Sequence, residues 1–173
     1  KKKKKMETAY GVQWISWADN SFESLKLPDI EALASVEGIA DYNITTCVTA
    51  VRPVGFQRIE DPDVDQNEDL GCVTLLGNRK MELDSNVLSG NVFLKEGRMT
   101  GPEDVDVCVI SEELAEKNGL SPGSVLSFGD RKAAAGASVR QATVIGIYRV
   151  KQPMAAYMSG DTFRSENVIF SSR

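Results

Sequence analysis

Apolar and polar positions alternate near the start of the chain, where Tyr10, Val12 and Trp14 share one side of a segment running to about Trp17. A period of two predicts a strand, because successive side chains point to opposite faces of a sheet. Asp19, Asn20 and Ser21 then read as a loop. After Leu27 the period lengthens: Ile30, Leu33 and Ala34 form a helical stripe, Pro28 and Asp29 suit a first turn, and Gly38 supplies a stop. From Ile39 to Arg52 the period returns to two, with Tyr42, Ile44, Thr46 and Val48 on one side. That β-branched run predicts a long strand, interrupted at Pro53 and Gly55.

The second half repeats short strands between turn signals. Cys72–Leu76 is one, closed by Gly77 and Asn78. Between Met81 and Gly97 the pattern is mixed, with Leu83, Val87, Leu88, Val92, Phe93 and Leu94 as core candidates. Val105–Ile110 is a compact strand. Ser111 is placed to cap a helix, Glu112 and Glu113 suit its positive end, and Gly119 ends it. Ser121, Pro122 and Gly123 make a turn into Val125–Phe128. A loop containing Ala133–Ala137 follows, and Val139–Val150 is a last long strand. Strands outnumber helices, no repeat is present, and the fold class is α+β.

Composition narrows the chemistry. The 173 residues are 42% hydrophobic and can fill a core, unlike a disordered chain. The formal charge is −5, but five of the 20 basic side chains are Lys1–Lys5. Without that run, 15 basic side chains face 25 acidic ones, a body of −10. No nucleic-acid partner is expected of such a body, which lacks the basic patches that displace counterions. There is no histidine. Ser-His-Asp triads, Cys-His nucleophiles and His-ligated metal sites are therefore excluded. Cys47, Cys72 and Cys108 form no CxxC and sit among apolar or β-branched neighbours, which makes them buried strand thiols, with a pairing between two of them left open. No stretch approaches the roughly 18 apolar residues of a membrane-spanning helix. The lysine run has no apolar segment behind it and is not a signal peptide. It is set aside as an unstructured basic tail over residues 1–8.

Four features could carry function. The loop over residues 59–71 holds Glu60, Asp61, Asp63, Asp65, Glu68 and Asp69, and Asp61, Asp63, Asp65, Asn67 and Asp69 fall at alternate positions like calcium-loop ligands. However, Gln66 replaces the glycine such a loop needs, and Cys72 replaces its bidentate glutamate. A solvated loop is the favoured reading, and no metal ligand is assigned. Asp104, Asp106, Glu112 and Glu113 could serve as acid and base only in a pocket that separates their pKa values. A strand edge and a helix dipole explain them better, so no catalytic residue is assigned. Gly97, Gly101, Gly119, Gly123 and Gly129 match no phosphate-loop motif, read as turn and cap residues, and give no cofactor site. Tyr10, Trp14, Trp17 and Phe22 cluster as core aromatics of the first strand, with Trp17 on the opposite face as a surface contact.

A resemblance emerges from the segments Leu94–Arg98, Asp106–Gly123 and Ala142–Tyr148, together with the helix and strand after Leu27. Their Leu-x-x-Gly-Arg turn, Ile-Ser-x-x-Leu-Ala helix start, Gly-Leu-x-x-Gly turn and Val-Ile-Gly-Ile strand resemble the extracytoplasmic, MacB-like periplasmic core domain of MacB/FtsX-type ABC transporter permeases. Ser124 departs from the aspartate that often follows the turn glycine. The resemblance implies a porter-like βαβ lobe over 9–89 and 155–173, incomplete at its C-terminal end, with a small β-rich α/β lobe inserted over 90–154. It also implies a soluble domain on the outer face of the cell membrane that catalyses nothing. Its partners would be a cytoplasmic ATP-binding subunit, reached through the missing membrane part, and a peptide, lipoprotein or cell-envelope protein ligand. A dimer is open to the full transporter. The acidic body suits cationic ligands. The alternative is a binding module of a larger enzyme, resembling a double-psi or swapped-hairpin barrel, which expects a single closed barrel from Val105 to Val150.

Overall fold

In a computed structural model the described residues are 2–8, 11–17, 26–46, 49–63, 71–131, 140–154 and 161–172. They fall into two units, Lys1–Asp41 and Tyr42–Arg173.

In the first unit, β1 (Lys2–Thr8) and β2 (Gly11–Trp17) pair antiparallel, Lys2 opposite Trp17 and Thr8 opposite Gly11. The lysine run, expected as an unstructured tail, is therefore half of a hairpin. The alternating β2 segment offers a complete row of backbone partners, and with only two residues between the strands little loop entropy is lost in pairing them. Helix α1 (Leu27–Ala34) starts where Pro28 and Asp29 predict, and the Asp29 carboxylate accepts a hydrogen bond from the Lys26 N–H at 3.2 Å. None of its residues is buried, and Leu33 is 56% exposed. Gly38, with φ of +95°, lies four residues beyond the helix end.

The second unit is built on a ring of strands. Its elements are β3 (Thr49–Val54), β4 (Val73–Asn78), α2 (Ser85–Leu88), β5 (Val92–Gly97), β6 (Val107–Ser111), α3 (Glu112–Asn118), β7 (Val125–Asp130), β8 (Arg140–Val150) and β9 (Val168–Ser172). The sheet order is β5-β8-β6-β9-β4-β3-β7, and β7 pairs again with β8, so six strands close on themselves and β5 hangs on the outside. The eleven residues of β8 make this possible. Arg140–Thr143 pair with β7, Gly146–Val150 pair with β5, and β6 runs parallel along the other edge. The ring is not confined to Val105–Val150, as the barrel alternative requires: β3, β4 and β9 supply half of it. Its ladders β6–β9 and β3–β7 join the segments 90–154 and 9–89 plus 155–173.

Period-two alternation sorts side chains between two cores. Val73, Leu75, Cys108, Ile110, Leu126, Phe128, Val144 and Ile169 fill the ring, where Phe56 meets Phe128 edge-on at 5.9 Å. Leu76, Val109, Val168 and Phe170 point the other way and pack with Met81, Val92 and Tyr148. The register between β6 and β8 slips at Cys108 and Val109, skipping Ile145. Beside that slip, β5 leaves the sheet through Gly97, whose φ is +75° and whose added Cβ would overlap the Ile145 carbonyl oxygen. Gly146 has the Arg98 carbonyl equally close. Glycine is required where these backbones meet.

The long strand expected from Ile39 to Arg52 is shorter and shifted: β3 begins at Thr49 and runs through Pro53. Proline is tolerated there because β4 pairs only as far as Val51, so one side of β3 carries no ladder at Pro53. Ahead of β3, residues 43–46 follow the end of β4 mainly through side chains. The Thr46 N–H donates to the Gly77 carbonyl at 2.9 Å, and the Gly77 N–H donates back to Thr46 Oγ1 at 3.0 Å. The β-branched alternation is real, but it serves a strap rather than a strand. Cys47, Val48, the aromatics Tyr10 and Phe22, and Ala133–Ala137 lie outside the described residues.

Helix α3 follows its signals closely. Ser111 Oγ accepts from the Leu114 N–H at 3.1 Å, and Gly119 adopts the left-handed conformation at φ 61°. Leu114 and Ala115 are buried against the ring. Val105 is 73% exposed, outside the strand expected to begin there. Among the core candidates of 81–97, Val92 is buried while Leu88 and Phe93 are exposed. No helix among the described residues is long and apolar enough to cross a membrane.

Candidate functional site

A cleft on the outer face of the ring has a volume of about 610 Å³, within the range of small-ligand sites. Thr74 and Leu76 of β4 and Val168 of β9 form its floor. Leu83–Asn86 make one wall, Met154 and Phe163 another, and Asn43 and Thr45 stand at one end. Only the floor belongs to the sheet. Side chains hold the walls: Thr74 Oγ1 donates to the Thr162 carbonyl at 2.6 Å, and the Met154 N–H donates to Ser165 Oγ. Asp84 sets the first wall by accepting the Asn86 N–H at its Oδ1, 2.9 Å away, which caps α2.

The end of this cleft has a defined polarity. The Lys80 N–H donates to Asn43 Oδ1 at 2.9 Å, which fixes the orientation of the Asn43 amide. Asn43 Nδ2 then donates to Asn78 Oδ1 at 2.6 Å. Asn78 is fully buried, and its Nδ2 is left without a hydrogen-bond partner. A buried donor left unsatisfied costs about 1–3 kcal/mol.

A smaller cleft, about 380 Å³, opens at the mouth of the ring, between Leu75, Val51 and Phe128 on the apolar side and Asp130, Arg140 and Ser172 on the polar side.

The carboxylates singled out as acid and base candidates are not brought together at either cleft. Arg98 clamps Asp104 through two bonds of 2.6 and 2.7 Å, and that hydrogen bonding holds the Asp104 carboxyl below its usual range. Asp106 lies 3.8 Å from Arg140 on a backbone of positive φ. Glu112 is engaged by Arg149 and Lys95. In the acidic loop, Asp61 pairs with Arg164 and also accepts the Asp63 N–H at 3.0 Å. Asp65, Asn67 and Asp69 lie outside the described residues, and no group of metal-ligating side chains assembles among the described ones. Cys72 and Cys108 are buried, and burial pushes the Cys108 thiol up to about 12, against an opposing pull from Arg140. Burial also raises the Tyr148 phenol well above its usual value. It stays a donor, within 2.8 and 2.7 Å of the Ser165 and Val168 carbonyls.

Three asparagines play a part that no motif announces. Asn118 accepts from the Gln57 N–H and donates to the Gln57 carbonyl, both at 2.7 Å. Asn167 grips both backbone groups of Ile59 at 2.8 and 2.7 Å, and Asn91 those of Gln152 at 3.0 and 3.1 Å. Each side-chain amide imitates one rung of a strand ladder and so fixes a connecting segment that has no strand partner.

Comparison with known proteins assigns a family over nearly the whole chain: the MacB-like periplasmic core domain matches residues 3–172. No curated protein and no solved structure matches the chain.

Proposed function

The chain belongs to the MacB-like periplasmic core domain family, the extracytoplasmic domains of ABC transporter permeases of the MacB/FtsX type, and from that premise we propose that it binds a substrate or partner protein outside the membrane and couples occupancy to ATP hydrolysis by a cytoplasmic subunit. The observation carrying this reading is the 610 Å³ cleft, which has a hydrogen-bonded sheet as its floor and connecting segments as its walls. A ligand seated there can shift the walls at the cost of a few side-chain bonds, leaving the ring's ladders intact. The acidic body favours association with cationic peptides or proteins. No catalytic step belongs to the reading, since the carboxylates considered for one are taken up by cations or stand apart. The porter-like lobe with its inserted lobe, and pairing of two such domains in the full transporter, remain proposals for the intact assembly. The lobes must accommodate the β6–β9 and β3–β7 ladders that join them.

The test is ATP hydrolysis by the permease reconstituted with its ATP-binding subunit, measured with and without peptides and lipoproteins that the domain captures. Hydrolysis that responds to the bound molecule is expected. A rate unchanged at saturating ligand overturns the coupling.

A further inference from the structure

We propose that Asp84 makes the outer cleft a site for a cationic, apolar-flanked peptide segment, whose lysine or arginine head seats on the Asp84 carboxylate. The proposal rests on the ligand-binding reading above and names the ligand's chemistry. Asp84 is only 6% exposed, yet it lines the cleft. Its Oδ1 is used by the Asn86 backbone N–H and side-chain amide, while its Oδ2 has no hydrogen-bond partner among the described residues. Among the described residues, no lysine or arginine lines the cleft to neutralise it. A largely buried carboxylate with one oxygen open to the cleft offers a partly desolvated seat for a cation, and such a charge-assisted bond is among the stronger polar contacts.

The rest of the cleft fits the remainder of a peptide. Leu76, Leu83, Met154 and Phe163 offer apolar surface for the aliphatic stem and a neighbouring side chain. Asn43 and Thr45 at one end add an amide and a hydroxyl to the lining, polar groups that the main chain of a peptide can meet. A carboxylate for the head, apolar walls for the stem and polar groups at one end for the backbone together select a cationic peptide over a neutral lipid or an anion.

The experiment uses the 173-residue chain and a fluorescent hexapeptide of alternating lysine and leucine, with a second peptide carrying glutamine in place of lysine. Wild type is expected to bind the lysine peptide saturably and the glutamine peptide at least about tenfold more weakly. Asp84→Asn keeps a side-chain oxygen for the α2 cap but removes the charge. It should leave the thermal midpoint in place and weaken lysine-peptide binding about tenfold or more, whereas Glu82→Gln, at an exposed carboxylate two residues away, should not. Equal binding by wild type and Asp84→Asn, equal loss in Glu82→Gln, or no saturable binding by wild type each overturns the site. None of these results touches the coupling, which is read from ligand-dependent ATP hydrolysis in the intact transporter.

Discussion

Helices α1 and α3 are close in length, eight and seven residues, and both are announced by terminal signals in the sequence. Their circumstances differ. Helix α3 is capped at both ends, buries Leu114 and Ala115, and its capping serine also donates to the Glu166 carbonyl at 2.6 Å. Helix α1 begins after Lys26, buries nothing, and leaves Leu27 and Leu33 exposed. Terminal signals and an apolar stripe thus specify where a helix forms, but not whether anything covers the stripe. In α3 the cover comes from a strand immediately before the helix, so local sequence and tertiary packing agree.

Substitutions can break this contrast. Leu114→Ala should have the largest effect, lowering stability by about 2–5 kcal/mol through loss of burial and the cavity left behind, read from the midpoint of urea unfolding. Ser111→Ala should cost about 1–2 kcal/mol, since it removes the cap to the Leu114 N–H together with the bond to Glu166, and should show in the same measurement.

A smaller effect concerns acid. Burial pushes the Glu166 carboxyl up, but the hydrogen bond from Arg164 and its own backbone outweigh this and hold it below its usual range. A depressed folded value stabilises the protein above the unfolded carboxyl pKa of about 4.3, and that contribution disappears as pH falls through the folded value. Thermal midpoints between pH 6 and pH 3 should therefore fall less steeply in Glu166→Gln than in wild type. The smallest effect should come from Leu33→Ala in α1, where the side chain is exposed, within about 0.5 kcal/mol of wild type. A loss above 2 kcal/mol there would show that α1 is packed after all.

What could be read from the residues alone follows the same division. Ser111, Gly119 and the core of the strand expected over Val105–Ile110 were legible because each signal lies within a few positions of its consequence. The strand expected from Ile39 was misplaced because alternation cannot distinguish a strand in a ladder from a strap held by Thr46 and Asn43. The lysine hairpin was hidden because strand propensity says little about a run whose partner lies downstream. The cleft was illegible for a related reason: its walls, Leu83–Asn86 on one side and Met154 with Phe163 on the other, are distant in sequence. Asn91 and Asn167 likewise look like loop residues, and Asn118 like the last residue of a helix, until the backbone they grip is in view.

Strand β9 has one further consequence, for the order in which the chain can fold. It lies between β4 and β6, parallel to the first and antiparallel to the second, and its partner Thr74 precedes it by almost a hundred residues. During synthesis, β4 and β6 emerge long before Val168–Ser172, and each must wait with an open edge. Contacts that span so much chain form slowly, and waiting edges can pair with neighbouring molecules. Yield of the domain should therefore depend on how quickly its last strand is delivered, and chaperones that shield strand edges should raise it more than those that only bind helices.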